Sequence, residues 1–341
     1  MKKIISIIIV IVCIVGGVLL GTYLVNKHIN TNTDTNTNTN LPKENEIIST
    51  YDNPKIPEGF KSIETDQASW NLDENGKPKG WNNGLVIEDE IGNQFVWVPV
   101  KTTDVDKELF WYNIKQNEEL AEVEEQILKF GGFYVARYEA GISDDMQENI
   151  KKFSAQTNDI EGIPVSKKNR IPWNYITLKN ALRNAQAMYE NNEYVKSDLI
   201  AVRQWIYLLQ WLKDTGIDIE DSGKFANYKD TQFEFSGYYS LYDEENESEE
   251  SEYEYTENGK KDANAMIIST GSTEYTNTNN IYDLAGNVVE YTNTYSDDRG
   301  YYSVGGYYTQ ISEYQSFIEA HPIGDKSPLK KFGYRVVLFL K

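Results

Sequence analysis

Twenty-two consecutive residues near the start of the chain, Ile4 to Val25, carry no charge. At about 1.5 Å of rise per residue, a helix of that length crosses the roughly 30 Å hydrocarbon core of a bilayer. Lys2 and Lys3 precede the run, and Lys27 and His28 close it. It reads as a membrane anchor with its N-terminal side in the cytoplasm, although Lys27 weakens the asymmetry. A cleaved signal peptide is the competing reading. Secretory apolar regions are usually about 7–15 residues, and no small-x-small cleavage site follows; Gly16, Gly17 and Gly21 leave the alternative open. Cys13 falls inside the run, after Val12 rather than a small residue, and reads as a small apolar side chain in lipid.

The rest of the chain divides around this feature. Residues 1–27 are the expected anchor and residues 28–50 a polar spacer. Its centre, Thr31 to Asn40 (TNTDTNTNTN), has no apolar period and cannot bury a core. Residues 51–341 are the expected globular domain, held outside the cytoplasm by a single-pass anchor. Its 25 Tyr, 12 Phe and 7 Trp (counted over the whole chain) supply ample core material. With Cys13 the only cysteine, a disulfide framework is excluded. One Cys and two His are too few for a zinc site of the usual type. The net charge of −20 disfavours nucleic acid, whose phosphates need Lys and Arg.

Within 51–341, strand-like runs dominate. Gly84 to Val100 reads as a hairpin with its turn at Ile91-Gly92-Asn93. Phe130 to Glu139 reads as a strand opened by Gly131-Gly132, and Tyr334 to Leu340 as a final apolar strand. Two helices have apolar stripes: Leu178 to Glu190, with Thr177 as N-cap, and Val202 to Lys213, with Gly216 beyond its end. Residues 243–257 hold nine carboxylates in fifteen positions and read as a solvated loop. The cluster Glu88, Asp89 and Glu90 is expected to be solvated, and His321, before Pro322, to be a loop residue.

The segment Ile281 to Thr292 (IYDLAGNVVEYT) is the most informative. Asp283 and Glu290 flank a turn at Ala285-Gly286-Asn287, where Gly lets carbonyls point inward. Such a hard-oxygen set suits Ca²⁺, although Asp283 could equally cap a turn and Glu290 lie on a surface. With SVGGYY at 303–308 and FGYRVVL at 332–338, this segment resembles the late signature of the formylglycine-generating enzyme (sulfatase-modifying factor) family. FVWVPV at 95–100, GGFYVARYEAG at 131–141, VSKKNRIPWNYIT at 165–177 and AVRQWIYLLQWL at 201–212 follow that family's order. The resemblance implies an α+β, C-type-lectin-like domain with much irregular loop over 51–341. It also implies Ca²⁺ held by the side chains of Asp283 and Glu290 and the carbonyls of Gly286 and Val288. A second Ca²⁺ position would involve Asn227.

The same resemblance marks what is missing. The family's oxidase uses two cysteines after Gly-Gly to bind copper and meet a substrate thiol. Gln310 and Gln315 stand near those positions, and an amide cannot act as a thiolate. A related branch holds iron with three His, and only His28 and His321 exist. Neither copper nor iron is expected. The expectation is therefore a surface-displayed binding domain that is not catalytic for formylglycine formation, with a glycan or protein ligand. Its contact face is expected around the Tyr-rich stretch Tyr291 to Tyr314, although those rings could instead pack the core rims. An enzyme of unassigned chemistry on the same fold, or an accessory subunit of a surface complex, are the alternatives.

Overall fold

The computed structural model describes residues 49–102, 118–242, 250–296, 300–315, 317, 320–323 and 327–341. The expected anchor and nearly all of the spacer lie outside them. Among the described residues no helix is long and apolar enough to cross a membrane.

The principal strands, in chain order, are β1 (Phe60–Ile63), β2 (Val86–Asp89), β3 (Gln94–Pro99), β4 (Gly132–Ala136), β5 (Val195–Leu199), β6 (Gln232–Leu241), β7 (Glu254–Asp262), β8 (Met266–Ile268), β9 (Val289–Ser296), β10 (Gly300–Val304), β11 (Ala320–Ile323), β12 (Phe332–Tyr334) and β13 (Val336–Leu340). The longer helices are α1 (Glu118–Phe130), α2 (Leu178–Ala187) and α3 (Val202–Asp214). A six-stranded sheet runs β1-β2-β3-β4-β13-β5, a four-stranded one β11-β10-β9-β12, and a three-stranded one β7-β6-β8. The domain is α+β, richer in strand than in helix.

The apolar run at 95–98 is continuous because its strand is buried on both faces. Val96 and Val98 point to one side, with Val135, Val337 and α3 through Trp205 and Leu209. Phe95 and Trp97 point to the other, with Tyr134, Leu338 and α2 through Ala181 and Ala185. The 84–100 hairpin forms as expected, pairing Ile87 with Phe95. The turn is closed by Gly92 in the left-handed region, at φ 92°. Both stripe-bearing helices form, and the Thr177 side chain caps α2 by accepting from Asn180 N.

Several expectations change. Asp89 is buried, not solvated: it accepts from the amides of Ile91 and Asn93, from Asn93 Nδ2 and from Tyr189 Oη. It is the residue that ties the hairpin turn. Within the acidic stretch, 243–249 lies outside the described residues. Glu250–Ser251 and β7, however, are strands, with β7 paired along β6. An edge strand exposed on most positions needs no apolar alternation, which is why composition alone reads it as loop. His321 lies on β11, paired in register with Ser303, rather than in a loop. Helix α1 was not expected, although Leu120, Val123 and Ile127 have its spacing.

Candidate functional site

The 281–290 segment winds through a buried polar knot. Three positive-φ residues shape it: Asp283 (58°), Gly286 (73°) and Asn287 (53°). Gly286 is required there because a Cβ would strike the backbone of Asn227. Its amide donates to Gly305 O at 2.7 Å, which couples the turn to the Gly305-Gly306 pair.

Asn287 is the hub. Its Oδ1 accepts from Asn227 Nδ2 (3.0 Å) and from Ile268 N (3.0 Å). Its Nδ2 donates to Glu139 Oε2 at 2.6 Å and to Ile268 O. Glu139 also accepts from Val288 N through Oε1. Asp283 receives Gly271 N on one oxygen and the Thr276 hydroxyl on the other, both at 2.7 Å. Glu290 Oε1 meets Arg335 Nε and Nη2 at 2.8 and 2.7 Å. Arg335 also donates to the carbonyls of Ala136, Tyr282 and Asp283. It stands between β12 and β13, two strands that belong to different sheets, and pins them together.

Burial raises all three carboxyls above the ordinary range. Glu139 lies well above it, burial coming first and the Asp283 and Glu290 charges adding. Asp283 is raised by burial against the pull of Gly271 N–H and Thr276 O–H, and Glu290 by burial against Arg335.

The structure therefore brings Asp283, Gly286, Val288, Glu290 and Asn227 into one neighbourhood. Asn227 is bridged directly to Gly286, so it adjoins this knot. A cation fits this donor set in part. Glu290 Oε2 and Asn227 Oδ1 are buried with no hydrogen-bond partner, which leaves two oxygens open. Against that, both Asp283 oxygens are engaged and Arg335 already neutralises one carboxylate. Among the described residues no group of three or more His, Cys, Asp or Glu is arranged to hold a metal. Sequence reasoning missed Glu139, Asn287 and Arg335 as members, although all three lie within the quoted motifs.

The Tyr-rich stretch divides. Tyr291, Tyr302 and Tyr308 are buried, so these rings pack the core. Tyr291, for example, stacks on Phe332 with centroids 4.7 Å apart. Tyr307 is half-buried, and with Tyr308 and Thr309 it lines a cleft of about 850 Å³. The knot sets this lining in place, since Tyr308 N donates to Asn287 O at 3.1 Å. The opposite linings come from Tyr239–Tyr242, from Glu250, Ser251, Glu252 and Glu254, from Tyr175, and from Pro328–Lys331. Gln310 does not open into a reactive position. Its Oε1 accepts from Tyr307 N at 2.7 Å and its main-chain N–H donates to Tyr307 O, so it closes the turn after Gly306.

No family model matches the chain, and no curated protein matches it. Among solved structures, the crystal structure of CarF is similar with a TM-score of 0.36 and 15% identity. It covers 62% of this chain and 87% of that one. A likeness at that score bears on neither fold family nor function, so the resemblance to sulfatase-modifying factors rests on the motifs quoted above.

Proposed function

We propose that the protein is a membrane-anchored, extracytoplasmic binding domain on a sulfatase-modifying-factor-like scaffold, not catalytic for formylglycine formation. Its ligand, a glycan or a protein, would sit in the cleft beside Tyr307 and Tyr308. One observation carries this reading: the segment after Gly305-Gly306 presents Tyr and Thr to an 850 Å³ cleft, while Gln310 is folded back onto its own turn. Tyrosines offer large contact area at low entropic cost, which suits recognition. The test is binding of the full chain, in detergent micelles, to a glycan array and to surface-protein extracts. Tyr307→Ala should weaken the bound class at least tenfold, and unchanged binding would remove the cleft from the reading. For the anchor, Ile4–Val25 predicts carbonate-resistant membrane association that deletion of residues 1–27 abolishes.

Ca²⁺ belongs to the same proposal as a structural ion. Glu290 would hold it, with Asp283 and the main-chain oxygens of Gly286 and Val288, and Asn227 would belong to a second position beside it. It would supply positive charge to a knot where three buried carboxyls face one guanidinium. Excess EDTA should then lower the melting temperature, with Ca²⁺ restoring it. Glu290→Gln should abolish that response. A melting temperature indifferent to EDTA would leave Arg335 as the knot's only cation.

A further inference from the structure

Two adjacent lysines in the cleft are left without a counter-ion. Lys330 Nζ donates to Ser240 Oγ and Leu241 O, both at 3.3 Å, and lies 6.0 Å from the Tyr308 ring centre. Lys331 Nζ lies over Tyr307 at 4.8 Å and over Phe332 at 5.4 Å. Neither has a carboxylate partner among the described residues. The three glutamates of the same cleft make contacts of their own, two of them with another lysine. Glu250 and Glu252 lie 3.3 and 3.6 Å from Lys152, and Glu254 accepts from Tyr239 Oη at 2.6 Å. A desolvated ammonium facing only neutral acceptors and ring faces gains strongly from an incoming anion.

Of the net charge of −20, the members lining the cleft with the two lysines are Glu250, Glu252 and Glu254, the first two facing Lys152. Exposed charges beyond about 8 Å are largely screened at physiological ionic strength, so the nearest groups decide. The other linings favour a sugar over a peptide. Ser240, Thr309 and Gln156 add hydroxyl and amide groups to a lining that also holds Tyr175, Tyr239, Tyr242 and Tyr307. Strand β6, whose end forms one wall, pairs with β8 through Leu241, while β7 reaches along it only as far as Tyr239.

We propose that the cleft binds a saccharide bearing a carboxylate or sulfate group, with Lys330 and Lys331 holding the anionic group and tyrosine faces holding the ring. The inference rests on the binding-domain reading above and names its ligand class. Burial pulls the Lys330 amine down to about 8, consistent with an ammonium that lacks an anionic partner.

The experiment uses the full chain in micelles on an array of matched glycans: glucuronate- against glucose-terminated, and sulfated against unsulfated, with acidic peptides printed beside them. Binding is expected on the anionic members only. Lys330→Gln should lose at least tenfold, and Lys330→Arg, which keeps the charge, should stay within about threefold. Soluble glucuronate or sulfated sugar should compete, and which one competes identifies the anion. Circular dichroism and melting of Lys330→Gln separate lost binding from lost folding, and competition on the unmutated protein serves if that variant misfolds. Equal binding of neutral partners, or full binding by a folded Lys330→Gln, overturns the anion assignment. If Tyr307→Ala still reduces that neutral binding, the binding-domain reading survives. Binding of acidic peptides without glycans overturns the saccharide, and no binding to any printed member overturns the proposal.

Discussion

Replacing Arg335 by Met tests the knot most directly. The guanidinium is wholly buried and donates to Glu290 and to three carbonyls, those of Ala136, Tyr282 and Asp283. Methionine fills similar space with no donor. Removing one partner of a buried ion pair typically costs about 3–5 kcal/mol, because the other charge stays buried and unpaired. Each orphaned carbonyl adds about 1–3 kcal/mol before relaxation, and these terms do not add in full. A loss of at least ~4 kcal/mol is expected, a large share of the 5–15 kcal/mol typical of a domain. At a urea slope of about 3 kcal/mol/M, this lowers the midpoint by more than about 1 M at constant slope. The assay is urea unfolding followed by both tryptophan fluorescence and circular dichroism, with coincident transitions required. The double variant Arg335→Met, Glu290→Gln removes the stranded charge and should recover about 1–3 kcal/mol. A single variant within about 1 kcal/mol of the parent would refute the reasoning, as would a double variant no more stable than the single.

Other outcomes follow from the same geometry. Gly76 and Gly286 share a φ near +75°, but a Cβ at Gly76 meets nothing whereas one at Gly286 strikes Asn227. Gly76→Ala should therefore cost about 1 kcal/mol and Gly286→Ala at least ~2 kcal/mol more by urea midpoint; equal costs would mean that close approach does not constrain the turn. Burial lowers the amines of Lys330 and Lys261 to about 8, from an ordinary 10.5. Between those values the unfolded chain holds more protons than the folded one, so stability rises with pH. The penalty on the folded state is complete below about pH 8 and relieved above it. Melting temperatures should accordingly climb from pH 7.5 to 9.5, and Lys330→Gln should flatten the climb; a flat parent profile would contradict it. Trp205→Phe removes the indole donor to Phe317 O and leaves that carbonyl buried, so about 1–3 kcal/mol should be lost in thermal unfolding.

Local pattern carried much of this protein. The apolar run at 95–98, the Gly92 turn and the stripes of α2 and α3 each reflect a period or a φ requirement contained within a few residues. They were legible for that reason, as was the absence of any thiol after Gly305-Gly306. The candidate site was legible only as residue types. Asp283, Gly286 and Glu290 belong to one short segment, but what their oxygens touch depends on Gly271, Thr276 and Arg335, the last 45 positions from its partner Glu290. Nothing local in the sequence marks Glu139, because its contact, Asn287, is 148 positions away. The tyrosines show the same limit. Spacing cannot tell Tyr291, packed on Phe332, from Tyr307, open to the cleft, because the difference is which sheet or loop lies opposite. Lys330 and Lys331 gave no sequence signal at all. Two lysines in a row are ordinary surface composition, and only the folded chain sets them against Tyr307, Tyr308 and Ser240. The sequence by itself determined the hairpin at 84–100, the two apolar-striped helices and the lack of any cysteine after residue 13, because each is contained in local pattern or in composition. The tertiary structure decided which charges are buried, which are paired and which face a cleft, because burial and pairing are properties of residues brought together from distant parts of the chain.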